Sequence, residues 1–141
     1  MTLYISPTEP EPIRLMGRTS SLPERYGVDV LFGARGRLCG VQRKRVDDLV
    51  ASLRDGRLAK ELVQMRQLHR ALVLVEGAWT WTNDGRWVDD PSFTRAGWWG
   101  LVWSLVLEHG VGVLQVAGLE ETVAAIRRFA QWAAKPSHVS L

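Results

Sequence analysis

The sequence has a single cysteine, Cys39, among its 141 residues. One thiol can form neither an internal disulfide nor a cysteine-based metal site, and this scarcity fits a reducing compartment. No apolar run approaches the roughly 18 residues that a membrane-spanning helix needs, and the N-terminus lacks a basic start followed by a long apolar stretch. We therefore expect a soluble, intracellular protein without a membrane partner, in which Cys39 is packed in the core.

Histidine and net charge are also scarce. The three histidines, at positions 69, 109 and 138, lack the spacing of metal ligands. Lys and Arg number 18 against 15 Asp and Glu, which leaves a net charge of only +3. The basic side chains are nevertheless concentrated between residues 35 and 70, and a local basic stripe suits a polyanion such as nucleic acid. A solvated helix face explains such a stripe equally well, so charge alone leaves both interpretations open.

The chain is 46% hydrophobic and has a length that suits one domain with a single core. We predict a domain over residues 1–141, with its core over 3–133 and a loose tail over 135–141. Strand-like and helix-like patterns alternate, which indicates an α/β fold with crossover helices. Strands are expected at 3–6, 27–32, 37–44, 71–77 and 110–117, of which the apolar runs at 71–77 and 110–117 are expected to be buried. The turn GARG, with glycine at both ends, joins the strands at 27–32 and 37–44 in a hairpin. Helices are expected from Val46, after Gly56, at 93–109 and at 119–134. Residues 13–22 form either a strand with a loop or a short helix, and residues 78–91 either a hairpin or a long loop.

Polar side chains occupy the end of the strand at 37–44. Successive side chains of a strand point to opposite faces, so Gln42 and Lys44 share one face and Arg43 leaves the other. A short turn brings Asp29, on the preceding strand, near Gln42 and Lys44. Carboxylate and amide oxygens suit Mg²⁺, which in phosphodiester hydrolysis generates hydroxide and neutralises charge on the phosphate. The pattern predicts a metal site at Asp29 and Gln42, with Lys44 polarising the attacking water and stabilising the transition state.

Three segments, GVDVLF, VQRKRVDDLVASLRDGRL and LVLVEG, resemble the XPF-family structure-specific endonuclease domain of the PD-(D/E)XK nuclease superfamily. The hallmark of that family is Gly-Asp, then Glu-Arg-Lys-x-x-x-Asp, then a helix with a Gly-Arg turn and a strand that ends in Glu. Arg43 and Lys44 match Arg-Lys, Asp48 matches the trailing Asp, and DLVASLRDGRL matches the helix and turn. The resemblance implies a restriction-endonuclease-like α/β fold, with a central mixed sheet flanked by helices.

The same resemblance implies an endodeoxyribonuclease, dependent on Mg²⁺ or Mn²⁺, that cuts branched DNA such as flaps, splayed arms or four-way junctions in repair, recombination or replication. The catalytic residues that it implies are Asp29, Gln42, Arg43, Lys44 and Asp48. The metal ligands that it implies are Asp29, Gln42 and Glu9. The basic stripe would contact DNA phosphates through Arg35, Arg37, Arg54, Arg57 and Lys60.

The sequence departs from the hallmark at three places. Gln42 stands where the family has Glu, Asp29 follows Gly27 after an inserted Val28, and only Glu9 remains of an early acidic motif. An amide keeps an oxygen ligand but removes one negative charge, so we expect Gln42→Glu to keep or raise the activity of a working site. We also expect the chain to lack the family's helix-hairpin-helix module. The main alternative is therefore a catalytically silent DNA-binding or scaffold subunit, and a further one is an α/β domain with an incidental site.

Several side chains have structural interpretations beside functional ones. Arg43 either contacts phosphate or pairs with Asp48 across the turn from strand to helix, and the ion pair is favoured. Glu76 is either a third acid of the site or the end of its strand. The tryptophans are expected in the core or an interface, with base stacking on Trp81 or Trp87 as the lesser alternative. The apolar helix at 97–110 is the segment expected to form a symmetric homodimer, or to bind a partner protein.

Overall fold

A computed structural model describes residues 1–138 and shows a six-stranded mixed sheet with helices on both faces. The order of the strands across this sheet is β2-β1-β3-β4-β5-β8. The strands are β1 (Leu3–Ile5), β2 (Arg18–Thr19), β3 (Val30–Ala34), β4 (Arg37–Arg45), β5 (Arg70–Glu76) and β8 (Gly112–Val116), while β6 (Arg86–Trp87) and β7 (Asp90–Thr94) form a separate two-stranded sheet. The helices are α1 (Glu11–Arg14), a 3-10 helix (Leu22–Tyr26), α2 (Val46–Asp55), α3 (Arg57–Met65), α4 (Arg95–Trp103), a π-helical continuation (Ser104–Glu108) and α5 (Leu119–Ala134). The predicted α/β fold with a mixed sheet is confirmed.

A tight hairpin joins β3 to β4, as the glycines of GARG indicated. Arg35 and Gly36 occupy the turn with φ of 53° and 75°, and the strands pair antiparallel from Val30 opposite Val41 to Ala34 opposite Arg37. Helices α2 and α3 then carry the chain back, so that β5 lies parallel to β4. Gly56 separates these two helices with φ of 85°, a left-handed conformation in which glycine has no steric penalty.

Two hydrophobic cores lie on the two faces of the sheet. Strand β5 contributes to both, because Val73 and Val75 face one core and Leu74 faces the other. Helices α2 and α3 cover the first core with Leu49, Leu58, Leu62 and Met65. Helix α5 covers the second core with Ile126 and Ala130, and Cys39 is buried there as expected. A continuous apolar strand buried on both faces is the arrangement that LVLVE predicted.

The prediction of a buried strand near residues 110–117 is wrong. Strand β8 pairs with β5 but lies at the edge of the sheet, and Leu114 stays 42% exposed. An apolar run indicates burial only when helices or strands cover it, and neither covers the outer side of β8. The helix predicted at 93–109 begins at Arg95 and ends in the π-helical turn.

The tryptophan-rich segment after β5 packs on itself. The turn at Asn83, Asp84 and Gly85 places Trp81 opposite Trp87 in an isolated bridge. Trp79 stacks on Trp81 and meets the ring of Trp87 edge to face, with Trp87 only 4% exposed. Trp87 is a core residue, so the structure does not support base stacking on it, whereas Trp79 and Trp81 are partly buried against the same core.

The first residues of the tail predicted as loose, 135–138, are exposed, although the ring of His138 stacks on Trp132. Residues 139–141 lie outside the described part of the chain. Among the helices of residues 1–138, none combines the length and the apolar character needed to cross a membrane.

Candidate active site

The hairpin of β3 and β4 brings the predicted site residues to one cavity of about 310 Å³. Asp29 directly precedes β3, and its backbone N–H donates to Val41 O at 2.8 Å. The N–H of Arg43 donates to Asp29 Oδ2 at 2.8 Å, which fixes that carboxylate at the end of the hairpin. Gln42 and Lys44 leave β4 on one face, are both buried and line the cavity together with Asp29. Gln42 and Lys44 therefore share one face of β4, as the alternation of a strand predicts.

Glu9 lies in the loop after β1 and completes a pair of carboxyl groups with Asp29. It is 5% exposed and also lines the cavity. Burial, and then the charge of Glu9, raise the pKa of Asp29 to about 8. Burial likewise raises the pKa of Glu9, although Arg43 opposes this shift. Glu9 and Asp29 thus lie close enough for their charges to interact, and each binds its proton more tightly than an isolated carboxyl group does.

The amide group of Gln42 has a defined orientation. Its Nε2 donates to Gly27 O at 2.7 Å and to Glu61 Oε2 at 2.6 Å. Both partners are acceptors only, so both amide hydrogens are used and nitrogen and oxygen cannot be exchanged. Within residues 1–138, no donor reaches Gln42 Oε1, and this oxygen is left for a group that occupies the cavity.

Lys44 is paired with a residue that sequence reasoning missed. Its Nζ lies 3.0 Å from Oε1 of Glu61, on α3. In the described part of the chain no hydrogen bond of good geometry reaches that oxygen, so the contact is an ion pair. A signal did exist: a lysine inside a sheet requires a counterion. Glu61 immediately precedes the buried Leu62 and so flanks the inner face of its helix.

Arg43 points to the opposite face, and its predicted pair with Asp48 is wrong. Its guanidinium binds Glu76 through two hydrogen bonds of 2.8 Å and also contacts Glu9 Oε2 at 3.0 Å. Thr122 of α5 donates to Glu76 Oε2 at 2.6 Å. The hydrogen bonds from Arg43 hold the pKa of Glu76 below its usual range. Arg43 thus supports Glu9 from behind the cavity, and Glu76 is the structural end of its strand.

Asp48 lies on α2 at the mouth of the cavity, exposed to solvent. Its exposure follows from its place in the first turn of the helix, on the side away from Leu49 and Val50. Asp48 belongs to the site by position, and in the described residues no ion pair holds it.

The predicted basic stripe is divided between two places. Arg57 lines the same cavity as Asp29 and Lys44, and Arg54 and Lys60 lie on the same pair of helices, where Arg54 pairs with Asp90 of β7. Arg35 and Arg37 occupy the opposite end of β4, roughly 20 Å from Lys44 at about 3.3 Å per strand residue. There they line a second cavity, here called the distal basic cavity, whose cationic side chains are Arg35, Arg37, Arg70 and Lys135. Residues that are neighbours in sequence thus lie at opposite ends of the sheet.

The donor set suits a divalent cation with a partial water shell. No group of three or more His, Cys, Asp or Glu side chains within residues 1–138 could hold a metal ion by itself. Glu9 and Asp29 nevertheless supply two adjacent carboxyl groups, and Gln42 Oε1 supplies a third oxygen. Mg²⁺ is commonly held by one or two carboxylates while it keeps several waters. A cation between Glu9 and Asp29 would offset the repulsion between their charges, so the residues present fit this group.

Comparison with known proteins agrees with this geometry. The model of the ERCC4 domain matches residues 9–129. The fold is similar to two solved structures of XPF from Aeropyrum pernix, both 20% identical in sequence. One, in complex with DNA, has a TM-score of 0.68 over 99% of this chain and 68% of that chain. The other has a TM-score of 0.71 over 96% of this chain and 66% of that chain. The chain thus spans about two thirds of these solved chains, and no curated protein is significantly similar to it in sequence.

Proposed function

The chain belongs to the ERCC4 domain family of structure-specific DNA endonucleases, and we propose that it hydrolyses phosphodiester bonds in branched DNA with Mg²⁺ or Mn²⁺. One observation supports this most strongly: Glu9, Asp29, Gln42 Oε1 and Lys44 meet in one cavity beside Arg57. Paired carboxyl groups, a free amide oxygen and a buried ammonium form a donor set for a cation and for an anionic transition state. Flaps, splayed arms and four-way junctions, as met in repair, recombination or replication, are the proposed substrates.

In this proposal Glu9, Asp29 and Gln42 hold the cation, which when bound lowers the pKa of water and neutralises charge on the phosphate. Lys44 donates hydrogen bonds from a position inside the sheet, where neighbouring groups screen its charge less than bulk water does. It orients the attacking water and stabilises the negative charge that develops on the phosphoryl oxygens. Arg43 acts as a positioning residue, because its guanidinium holds Glu9 and its N–H holds Asp29.

Two basic regions are proposed to bind the DNA backbone. Arg54, Arg57 and Lys60 lie beside the cavity and would hold the phosphates nearest the cut. Arg35 and Arg37 in the distal basic cavity would contact an arm of the substrate farther away. Such contacts provide affinity that depends on salt and little choice of sequence. One of the similar XPF structures was solved in complex with DNA, which supports a DNA-binding role for this fold.

A second copy of the chain is the proposed partner at the exposed apolar surface of α4 and its π-helical continuation. Trp99, Trp103 and Leu107 are 56%, 62% and 74% exposed, and Leu114 at the edge of β8 is 42% exposed. Contiguous apolar surface of this kind marks an interaction site, and a two-fold dimer would bury the same patch on both copies. A partner protein bound at the same surface is the alternative.

The test is an assay of labelled flap, splayed-arm and four-way junction DNA with Mg²⁺ or Mn²⁺. We expect wild type to cut at least one of them, Lys44→Ala to lose cleavage while it still binds the DNA, and Arg128→Ala, an exposed cationic control on α5, to keep cutting. Thermal unfolding shows whether Lys44→Ala is folded. Undiminished cutting by folded Lys44→Ala overturns the assignment of Lys44. Absence of cutting by wild type with either metal favours the silent DNA-binding subunit, for which the amide at Gln42 is the supporting observation.

A further inference from the structure

The amide of Gln42 and the carboxylate of Glu61 form a matched pair at the site. We propose that Glu61 supplies the negative charge that the hallmark strand position lacks in this chain, and that it is a positioning residue for Gln42 and Lys44. The proposal rests on the proposed function. In this proposal the negative charge lies on helix α3, at a residue 19 positions from Gln42 in sequence, and not on strand β4.

The first step concerns the cation ligand. Gln42 can present Oε1 to the cavity because both hydrogens of its amide are held, one by Gly27 O and one by Glu61 Oε2 at 2.6 Å. Without the acceptor on Glu61, the amide could rotate and offer a donor to the cavity instead. A hydrogen-bond partner that orients a metal ligand typically changes metal affinity by about 10- to 100-fold when it is removed.

The second step concerns Lys44. The other oxygen of Glu61 lies 3.0 Å from Lys44 Nζ, so one carboxylate contacts both polar residues of the Gln-x-Lys sequence. Lys44 is 7% exposed in its side chain and Glu61 is 23% exposed. A buried ammonium without a counterion is costly and turns towards solvent. Glu61 therefore holds Lys44 inside the cavity, where it can act on water and phosphate.

The third step concerns the single substitution that the hallmark suggests. Gln42→Glu would remove both N–H donors and place a carboxylate against the carbonyl of Gly27 and the carboxylate of Glu61. Two such groups 2.6 Å apart repel each other strongly unless they share a proton. In this proposal Gln42→Glu alone lowers activity, whereas the expectation from sequence is that it keeps or raises activity. The hallmark carboxylate is tolerated at position 42 only when position 61 becomes an amide.

The experiment compares wild type, Glu61→Gln, Gln42→Glu and the double exchange Gln42→Glu/Glu61→Gln. Glu120→Gln, an exposed glutamate on α5, is the matched control. Three quantities are measured: the single-turnover cleavage rate on the preferred branched DNA, the affinity for Mn²⁺ without DNA by titration calorimetry, and thermal unfolding in EDTA. We expect each single variant to cut at least about 100-fold more slowly and to bind Mn²⁺ about 10-fold more weakly or worse. The double exchange keeps the charge and one N–H···O bond of the pair, so it should recover at least about tenfold in both quantities over either single variant.

Outcomes separate this proposal from the proposed function. Wild-type cleavage and Mn²⁺ affinity in Glu61→Gln, or a double exchange no better than its worse single variant, would overturn the role of Glu61. If Glu61 were merely structural, Glu61→Gln would lower thermal stability, and the double exchange would not recover Mn²⁺ affinity. If wild type binds Mn²⁺ but cuts no DNA, the proposed function fails. The Mn²⁺ affinities of the single and double variants then still test the role of Glu61. If wild type binds no Mn²⁺, both proposals are refuted.

Discussion

Replacing Asp29 by Asn should stabilise the metal-free protein at neutral pH and abolish its binding of divalent cations. Asn resembles the protonated form of Asp29, because its oxygen can still accept from the N–H of Arg43 and it places no negative charge beside Glu9. Burial and the neighbouring Glu9 raise the pKa of Asp29 to about 8 from an ordinary value of 3.8. Ionised Asp29 therefore lowers the free energy of unfolding at neutral pH, and a bound cation is expected to offset that loss.

The sign of the pH dependence follows from this pKa. A carboxyl group whose pKa is higher in the folded state binds more protons there than in the unfolded state, so it destabilises the fold as pH rises. The cost is absent below about pH 4, grows through neutral pH and levels off above about pH 8. At about 1.4 kcal/mol per pKa unit the limit at pH 7 is roughly 4 kcal/mol. Because the pKa of Glu9 is also raised and the cavity opens to solvent, we expect about 2 to 4 kcal/mol.

The assay is urea unfolding in EDTA at about pH 5, 7 and 8.5, for wild type, Asp29→Asn and the exposed control Asp89→Asn. The gap between wild type and Asp29→Asn should widen in favour of the variant as pH rises, while Asp89→Asn follows wild type. Millimolar Mn²⁺ should raise the free energy of unfolding of wild type and leave that of Asp29→Asn unchanged. A variant less stable than wild type at pH 7, or a gap that does not change with pH, would refute the reasoning.

Three further predictions concern the groups around the site. Glu76→Gln leaves the guanidinium of Arg43 with a weaker acceptor, and urea unfolding should show a loss of about 2 to 3 kcal/mol in the free energy of unfolding. This loss is smaller than for a fully buried pair because Glu9 still binds Arg43. An unchanged urea midpoint would contradict the prediction. Leu107→Asp, in the most exposed part of the apolar surface, should convert a dimer to a monomer in sedimentation velocity, and an unchanged sedimentation coefficient would contradict the proposed interface. Arg57→Ala should weaken binding of all branched DNA and reduce its salt dependence by about one contact, whereas Arg37→Ala should matter only for arms long enough to span roughly 20 Å from the cavity. Equal effects of the two arginines on a short-armed substrate would contradict the separation of the basic regions.

The local geometry of the site could be predicted from the sequence because it depends on the period of the backbone. The glycines of GARG indicated the hairpin, and the alternation of a strand placed Gln42 and Lys44 on one face and Arg43 on the other. The hairpin then brought Asp29 to the same end. The segment from GVDVLF to LVLVEG also carried enough of a hallmark to indicate the family, which the match to the ERCC4 domain shows.

The partners of these side chains were decided by tertiary packing. Arg43 was predicted to meet Asp48, five residues away, but it binds Glu76 and Glu9, which are 33 and 34 residues away in sequence. Glu61 reaches Gln42 and Lys44 because packing of α3 against the sheet sets the rotation of that helix. The same packing places the basic side chains near the two opposite ends of β4 and leaves β8 at the edge of the sheet. A sequence repeat specifies which face a side chain leaves from, whereas the group that it meets there depends on how distant elements pack.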